Sequence, residues 1–212
     1  MPLLTAPLRE RPRAVIFDIG RVIVRIRLAE AFDGFGAPAG LTADQVWGAI
    51  QADPRWPDWQ EGRMTPREYH AHFRRKFGLS LGFEEFRDAW NSVLDPVTLL
   101  PQSLFEGLSQ SCRLALLSNT DPIHVEHMEA NFPFMRYFPV RVYSCTAGTS
   151  KPDPAIYQRA LRDVGVSAHE ALYIDDMLEN VAPAADLGMT GFHFTSPNEL
   201  FTELSRLSFI LV

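Results

Sequence analysis

Cysteine is nearly absent: the chain of 212 residues has two, Cys112 and Cys145. That is too few for a disulfide framework, and each borders an apolar run, so both read as buried thiols. Long apolar runs are missing too. None reaches the roughly 18 residues that a membrane-spanning helix needs. The N-terminal stretch holds no extended apolar core of the signal-peptide kind, so the expected location is the cytoplasm. Basic charge is not in excess. Lysine and arginine total 20 against 26 acidic residues, giving a net charge of −6. Nothing electrostatic therefore draws the chain to nucleic acid or to an anionic membrane. Internal repeats and low-complexity tracts are lacking as well.

What remains is an ordinary globular composition, 46% hydrophobic and 22% charged, which excludes disorder. The length suffices for one domain carrying a smaller insertion. Three short apolar runs stand out: Ala14 to Phe17, Leu114 to Leu117 and Ala171 to Ile174. Each is continuous rather than alternating, as expected of strands covered on both faces in a parallel sheet. Each stops abruptly at polar residues: Asp18, then Ser118-Asn119-Thr120, then Asp175-Asp176. Open α/β sheets bind ligands beyond the carboxyl ends of their strands. The pattern predicts one rim that collects these groups.

Helix signals fill the intervals. Asp153-Pro154 reads as an N-cap with proline at the first helical position, opening a helix to about residue 162. Gly188 reads as a C-terminal stop, and Ser196 to Glu199 as a capping box. Alternating strands and helices predict an α/β fold with a doubly wound, Rossmann-like parallel sheet. Residues 25–95 differ. Thr42 to Gln45 and Thr65 to Glu68 have capping-box form, and Tyr69, Phe73 and Phe77 recur at helical spacing. All four tryptophans, Trp47, Trp56, Trp59 and Trp90, lie here. We expect a helical cap subdomain over 25–95, inserted into a core made of residues 1–24 and 96–212.

Four polar clusters carry a resemblance: Val15-Ile16-Phe17-Asp18-Ile19-Gly20-Arg21-Val22; Leu117-Ser118-Asn119-Thr120; Ser150-Lys151-Pro152-Asp153-Pro154; and Tyr173-Ile174-Asp175-Asp176 with Asn180. In order and spacing they resemble the haloacid dehalogenase-like superfamily, mostly phosphatases, over nearly the whole chain. The resemblance implies that Asp18 is a nucleophile attacking the phosphorus of a small phosphorylated metabolite. An ordinary carboxyl with pKa about 4 is ionised at neutral pH and needs no activating base. It also implies Mg²⁺ held by Asp18, the Gly20 carbonyl and the acidic pair, with Asp176 ranked ahead of Asp175. Two adjacent carboxylates repel unless a cation intervenes, which points the same way. Lys151 would neutralise Asp18 and the phosphoryl group as a point charge. Ser118 would hold phosphoryl oxygens, and Asn119 would orient site or substrate. Arg25 stands where the cap begins and is a candidate for a second anionic group.

One departure matters. Most phosphatases of the superfamily carry a second aspartate two residues after the nucleophile, as the acid that protonates the leaving oxygen. Here that position is Gly20. A sugar-phosphatase subgroup with FDxGN-type first motifs shares the glycine, but has asparagine where this chain has Arg21. His124 could replace the acid, although His124 and His127 more often merely line a helix at that spacing. A good leaving group, such as an anomeric sugar phosphate, would need little protonation. Two rivals stand beside this reading. A metal-independent haloacid dehalogenase usually lacks the acidic pair, and a catalytically weak binding protein would suit Gly20 and Arg21. Monomer and homodimer are both open.

Overall fold

The computed structural model describes residues 4–5, 11–36 and 40–207. The chain ends assigned to the core at 1–3, 6–10 and 208–212 lie outside the described residues. In chain order the strands are β1 (Ala14–Phe17), β2 (Val24–Ile26), β3 (Leu94–Thr98), β4 (Arg113–Ser118), β5 (Val140–Tyr143), β6 (Ala171–Asp175) and β7 (Thr190–His193). The helices are α1 (Leu28–Gly36), α2 (Ala43–Gln51), α3 (Trp56–Gln60), α4 (Pro66–Phe77), α5 (Phe83–Asn91), α6 (Gln102–Ser109), α7 (Pro122–Asn131), α8 (Ser144–Ala147), α9 (Pro154–Val164), α10 (Leu178–Asp186) and α11 (Pro197–Arg206).

The three apolar runs become the middle of a five-stranded parallel sheet in the order β5-β4-β1-β6-β7. Side chains alternate between its faces. Val15, Phe17, Leu114, Leu116, Leu172 and Ile174 enter one apolar cluster with Phe105 and Phe138. Ala14, Ile16, Ala115, Leu117, Ala171 and Tyr173 enter another, against Ile156, Tyr157 and Ala160 of α9. Both faces are dry, which is why the runs do not alternate in sequence. β1 is central, flanked by β4 and β6, so its successor Asp18 opens onto the middle of the sheet's carboxyl edge.

Between β2 and β3 the chain forms α1–α5. The capping boxes at Thr42 and Thr65 are both closed, and Gly78 ends α4 in the left-handed region at φ 64°. Their common core is aromatic: Trp59 and Trp90 are fully buried, and Trp59 stacks on Tyr69 with ring centroids 4.4 Å apart. The segment is bracketed by an antiparallel β2–β3 ribbon pairing Val24 with Thr98. Two strands this short, one containing Pro96, leave no periodicity to read in the sequence.

A close seam joins the helical segment to the sheet. The buried Ser144 hydroxyl donates to the Gln60 carbonyl at 2.7 Å and accepts from the Thr120 amide at 2.9 Å. Gly62 has φ 72°, and a Cβ there would lie 2.0 Å from the Cys145 carbonyl oxygen. Only glycine allows that approach. Cys112 and Cys145 are half-buried rather than buried, and both are free thiols.

Candidate active site

Four chain segments converge at the carboxyl edge of the sheet around a cavity of about 320 Å³. Asp18 follows β1, Ser118 ends β4, Asp175 ends β6, and Lys151 arrives from the segment before α9. Lys151 is 5% exposed. Its Nζ donates to Asp18 Oδ1 at 2.8 Å and to Asp175 Oδ2 at 2.7 Å. Its backbone is clamped: Asn119 Nδ2 donates to the Lys151 carbonyl and the Lys151 amide donates to Asn119 Oδ1, both at 2.8 Å. The Asn119 side chain, expected to orient site or substrate, thus has both polar atoms engaged in holding Lys151, although it also lines the cavity.

The two carboxylates after the β6 run differ in their surroundings. Asp175 is fully buried and accepts from Tyr173 Oη, from the Met177 amide at 2.8 Å and from Asn180 Nδ2 at 3.1 and 3.2 Å, besides Lys151. Protein donors surround both its oxygens. Asp176 lies partly exposed on the cavity wall. Ligand oxygens from Asp18, Asp175 and Asp176 lie within 4.8 Å of one another.

Three carboxylates therefore face one ammonium, and the acidities of Asp18 and Asp176 register the imbalance. Burial pushes Asp18 up to about 7, Lys151 opposes this, and Asp175 and Asp176 add to it. This corrects the expectation of an ordinary carboxyl near 4: without an added cation, the site resists a full charge on Asp18. Burial and Asp175 likewise raise Asp176, with Arg21 opposing. Burial alone would lower Lys151, but Asp18 and Asp175 outweigh it and raise it. A hard divalent cation with oxygen ligands fits this donor set.

Arg25 is a correction. It is exposed, does not line the cavity, and its guanidinium lies 4.0 Å from Asp95, which Arg27 Nε also contacts at 2.8 Å. Proximity to β1 in sequence placed it near the site; the ribbon carries it away. Ser118 is buried and lines the cavity. Trp56 lines it too, whereas Trp59 is consumed by the stack on Tyr69 and Glu61 pairs with Arg63. Sequence reading missed Trp47, Gln51 and Gln60, which also line the cavity. The capping box at Thr42 marked a helix but not which of its residues would line the cavity.

His124 does not stand free as an acid. Nδ1 lies 2.9 Å from Asp121 Oδ2, Nε2 lies 2.9 Å from the Trp90 carbonyl oxygen, and the ring stacks on Trp90. Trp90 Nε1 donates to the same Asp121 at 3.0 Å. The group fastens α5 to α7. Both ring nitrogens face acceptors, so the protonated ring suits the geometry. Burial opposes that form, but the Asp121 carboxylate and the Trp90 carbonyl outweigh it and raise His124 above the usual 6.5. A raised value means that this stabilisation is full below about pH 6.5 and is lost as pH climbs through the folded-state value. Melting temperatures from pH 6 to 9 should show the wild type losing more stability on the alkaline side than His124→Gln does. Parallel curves would remove this role from His124.

The sequence profile of the haloacid dehalogenase-like hydrolases matches residues 12–188. D-ribitol-5-phosphate phosphatase of Bacteroides thetaiotaomicron is 27% identical over 184 residues, covering 84% of this chain and 89% of that protein. A sesquiterpene phosphatase of Aspergillus oryzae is 26% identical over 163 residues, covering 76% of this chain and 82% of that protein. Among solved structures, a haloacid dehalogenase family enzyme of B. thetaiotaomicron, in complex with magnesium and inorganic phosphate, shares the fold. Its TM-score is 0.76 at 24% identity, covering 90% of this chain and 99% of that one. No helix among the described residues is long and apolar enough to cross a membrane. A profile match over most of the length, on a parallel sheet whose carboxyl edge gathers Asp18, Ser118, Lys151 and Asp176, means that this chain belongs to the haloacid dehalogenase-like hydrolases.

Proposed function

We propose that the chain is a phosphatase for small monophosphates of neutral alcohols, with Asp18 as nucleophile. The observation that carries the reading is the cluster of three carboxylates around a single ammonium at the sheet edge. A metal-independent dehalogenase has no use for that surplus of negative charge. A cation does, and relatives of this fold bind phosphate with magnesium. Asp18, Asp176 and the Gly20 carbonyl would hold Mg²⁺; Asp175 serves instead to fix Lys151. The bound ion supplies the positive charge that lets one anion approach another.

The chain's own residues then do the following. An Asp18 carboxylate oxygen bonds to phosphorus while the P–O bond to the leaving group breaks, giving an aspartyl-phosphate. Lys151 and Ser118 hold the transferred group's oxygens. Asn119 keeps the Lys151 backbone in place. Water then attacks phosphorus and frees inorganic phosphate, restoring Asp18.

The helices α1–α5 act as a cap that walls the leaving-group side. The cap residues on that wall include Trp47, Gln51, Trp56 and Gln60, and none is charged. Aromatic faces with amide donors and acceptors suit a hydroxylated, uncharged leaving group such as a sugar or polyol. A second phosphate or a carboxylate would find no cationic partner from the cap.

The test is a panel of phosphorylated metabolites assayed for phosphate release with Mg²⁺ and with EDTA. We expect activity only with Mg²⁺, on monophosphates of neutral alcohols, and a preference for glucose 1-phosphate over glucose 6-phosphate because Gly20 supplies no acid. Activity that survives EDTA would overturn the metal assignment. A preference for glucose 6-phosphate would overturn the leaving-group argument.

A further inference from the structure

The turn after β1 holds Arg21 at φ 58°, the one non-glycine residue with positive φ among the described residues. Left-handed backbone disfavours a long L side chain; glycine or asparagine would sit there more easily. The turn is nonetheless fixed. The Arg21 amide donates to the Val24 carbonyl at 2.7 Å, and the Ile23 and Val24 amides both donate to the Ile19 carbonyl at 2.9 Å. A strained residue held this firmly beside a reacting group is a reason to ask what its side chain does.

The guanidinium is exposed, lines the cavity, and makes no hydrogen bond or ion pair with protein among the described residues. The other cationic side chains on the wall are committed. Lys151 is held by two carboxylates, and His124 has both ring nitrogens engaged. Arg21 is thus the cavity cation with its donors unused. Its neighbour Gly20 leaves space: a Cβ there would meet only Ile26, at 3.8 Å. The leaving oxygen therefore has no proton donor from residue 20, and an unused planar fork of N–H groups stands next to it in sequence.

We propose that Arg21 is a catalytic residue whose guanidinium hydrogen-bonds the leaving-group oxygen and stabilises the negative charge that builds there. The proposal rests on the phosphatase reading above. In the step concerned, the Asp18 oxygen–phosphorus bond forms and the bond from phosphorus to the leaving oxygen breaks. Both electrons of the broken bond depart with that oxygen. Arginine keeps its proton, so the alkoxide takes its own from water. Donors preorganised at a developing oxyanion act where charge appears. The benefit therefore grows with the basicity of the leaving group.

Arg21→Gly separates this role from folding, because glycine suits the backbone at that position. We expect kcat/KM to fall by about 10²-fold on alkyl esters such as glucose 6-phosphate. The loss should be far smaller on 4-nitrophenyl phosphate, whose leaving group needs little help. Added guanidinium ion should restore the alkyl esters selectively, and the melting temperature should hold or rise. Arg21→Asn serves as a second variant with the same expected selectivity. An equal loss on every ester, or no loss on any, overturns the role of Arg21 while leaving the phosphatase reading intact. A wild type that releases no phosphate from any ester overturns both.

Discussion

Asp18→Asn abolishes phosphate release, with a loss on the order of 10⁴-fold or more in kcat, the scale seen when a nucleophile is removed. Asparagine keeps the shape and can still accept from Lys151 through its carbonyl oxygen, so the change removes charge and nucleophilicity with little repacking. Stability should move the other way. Asp18 is pushed up from 3.8 to about 7 by burial, with Asp175 and Asp176 adding and Lys151 opposing. A folded-state value above the unfolded one means that stability is lost as pH rises between those two values. The neutral variant escapes that loss, so its melting temperature at pH 7–8 should equal or exceed the wild type's. Magnesium should raise the wild-type melting temperature by more than the variant's. Turnover retained in a clean preparation would remove Asp18 from the reaction.

Lys151→Met is expected to strike both activity and folding. Its ammonium is the counter-charge for Asp18 and Asp175, both of them buried. Deleting one partner of a buried ionic cluster costs about 3–5 kcal/mol, because the charges left behind have neither water nor a partner. For a chain of this size that lowers the melting temperature by roughly 10 °C. Arginine should not rescue it, since a planar fork cannot occupy the point between two carboxylates that an ammonium fills. Lys151→Met combined with Asp18→Asn should recover part of the stability and none of the activity. If the double variant is no more stable than the single one, the charge-balance account of the site is wrong.

The parts of the fold most legible in the sequence were those with a strong one-dimensional signature. β1, β4 and β6 announced themselves because burial on both faces leaves no room for alternation. Capping boxes marked α2 and α4 because a side chain three residues on must answer the cap. The β2–β3 ribbon left no such mark. The placing of Asp18, Ser118, Asp175 and Asp176 at one edge was readable because each follows or ends a strand, and that of Lys151 because it stands just before the α9 cap. Arg25 misled for the same reason: nearness to a strand end in sequence is not nearness in space. The partner of Asn119 was hidden, since it is a backbone 32 residues away. The same holds for one partner of His124, the Trp90 carbonyl on α5, 34 residues away in sequence.

The central place of β1 has a further consequence for how the enzyme matures. Its partners are far along the chain: Ala14 pairs with Arg113 on one side and with Ala171 on the other. The first pairing spans nearly half of the polypeptide and the second most of it, so neither is available early in synthesis, and such non-local contacts form slowly. No amino-terminal fragment that ends before β6 can assemble the catalytic edge. Appearance of turnover in a refolding experiment should therefore trail the appearance of helical signal, and report when the last strand has docked.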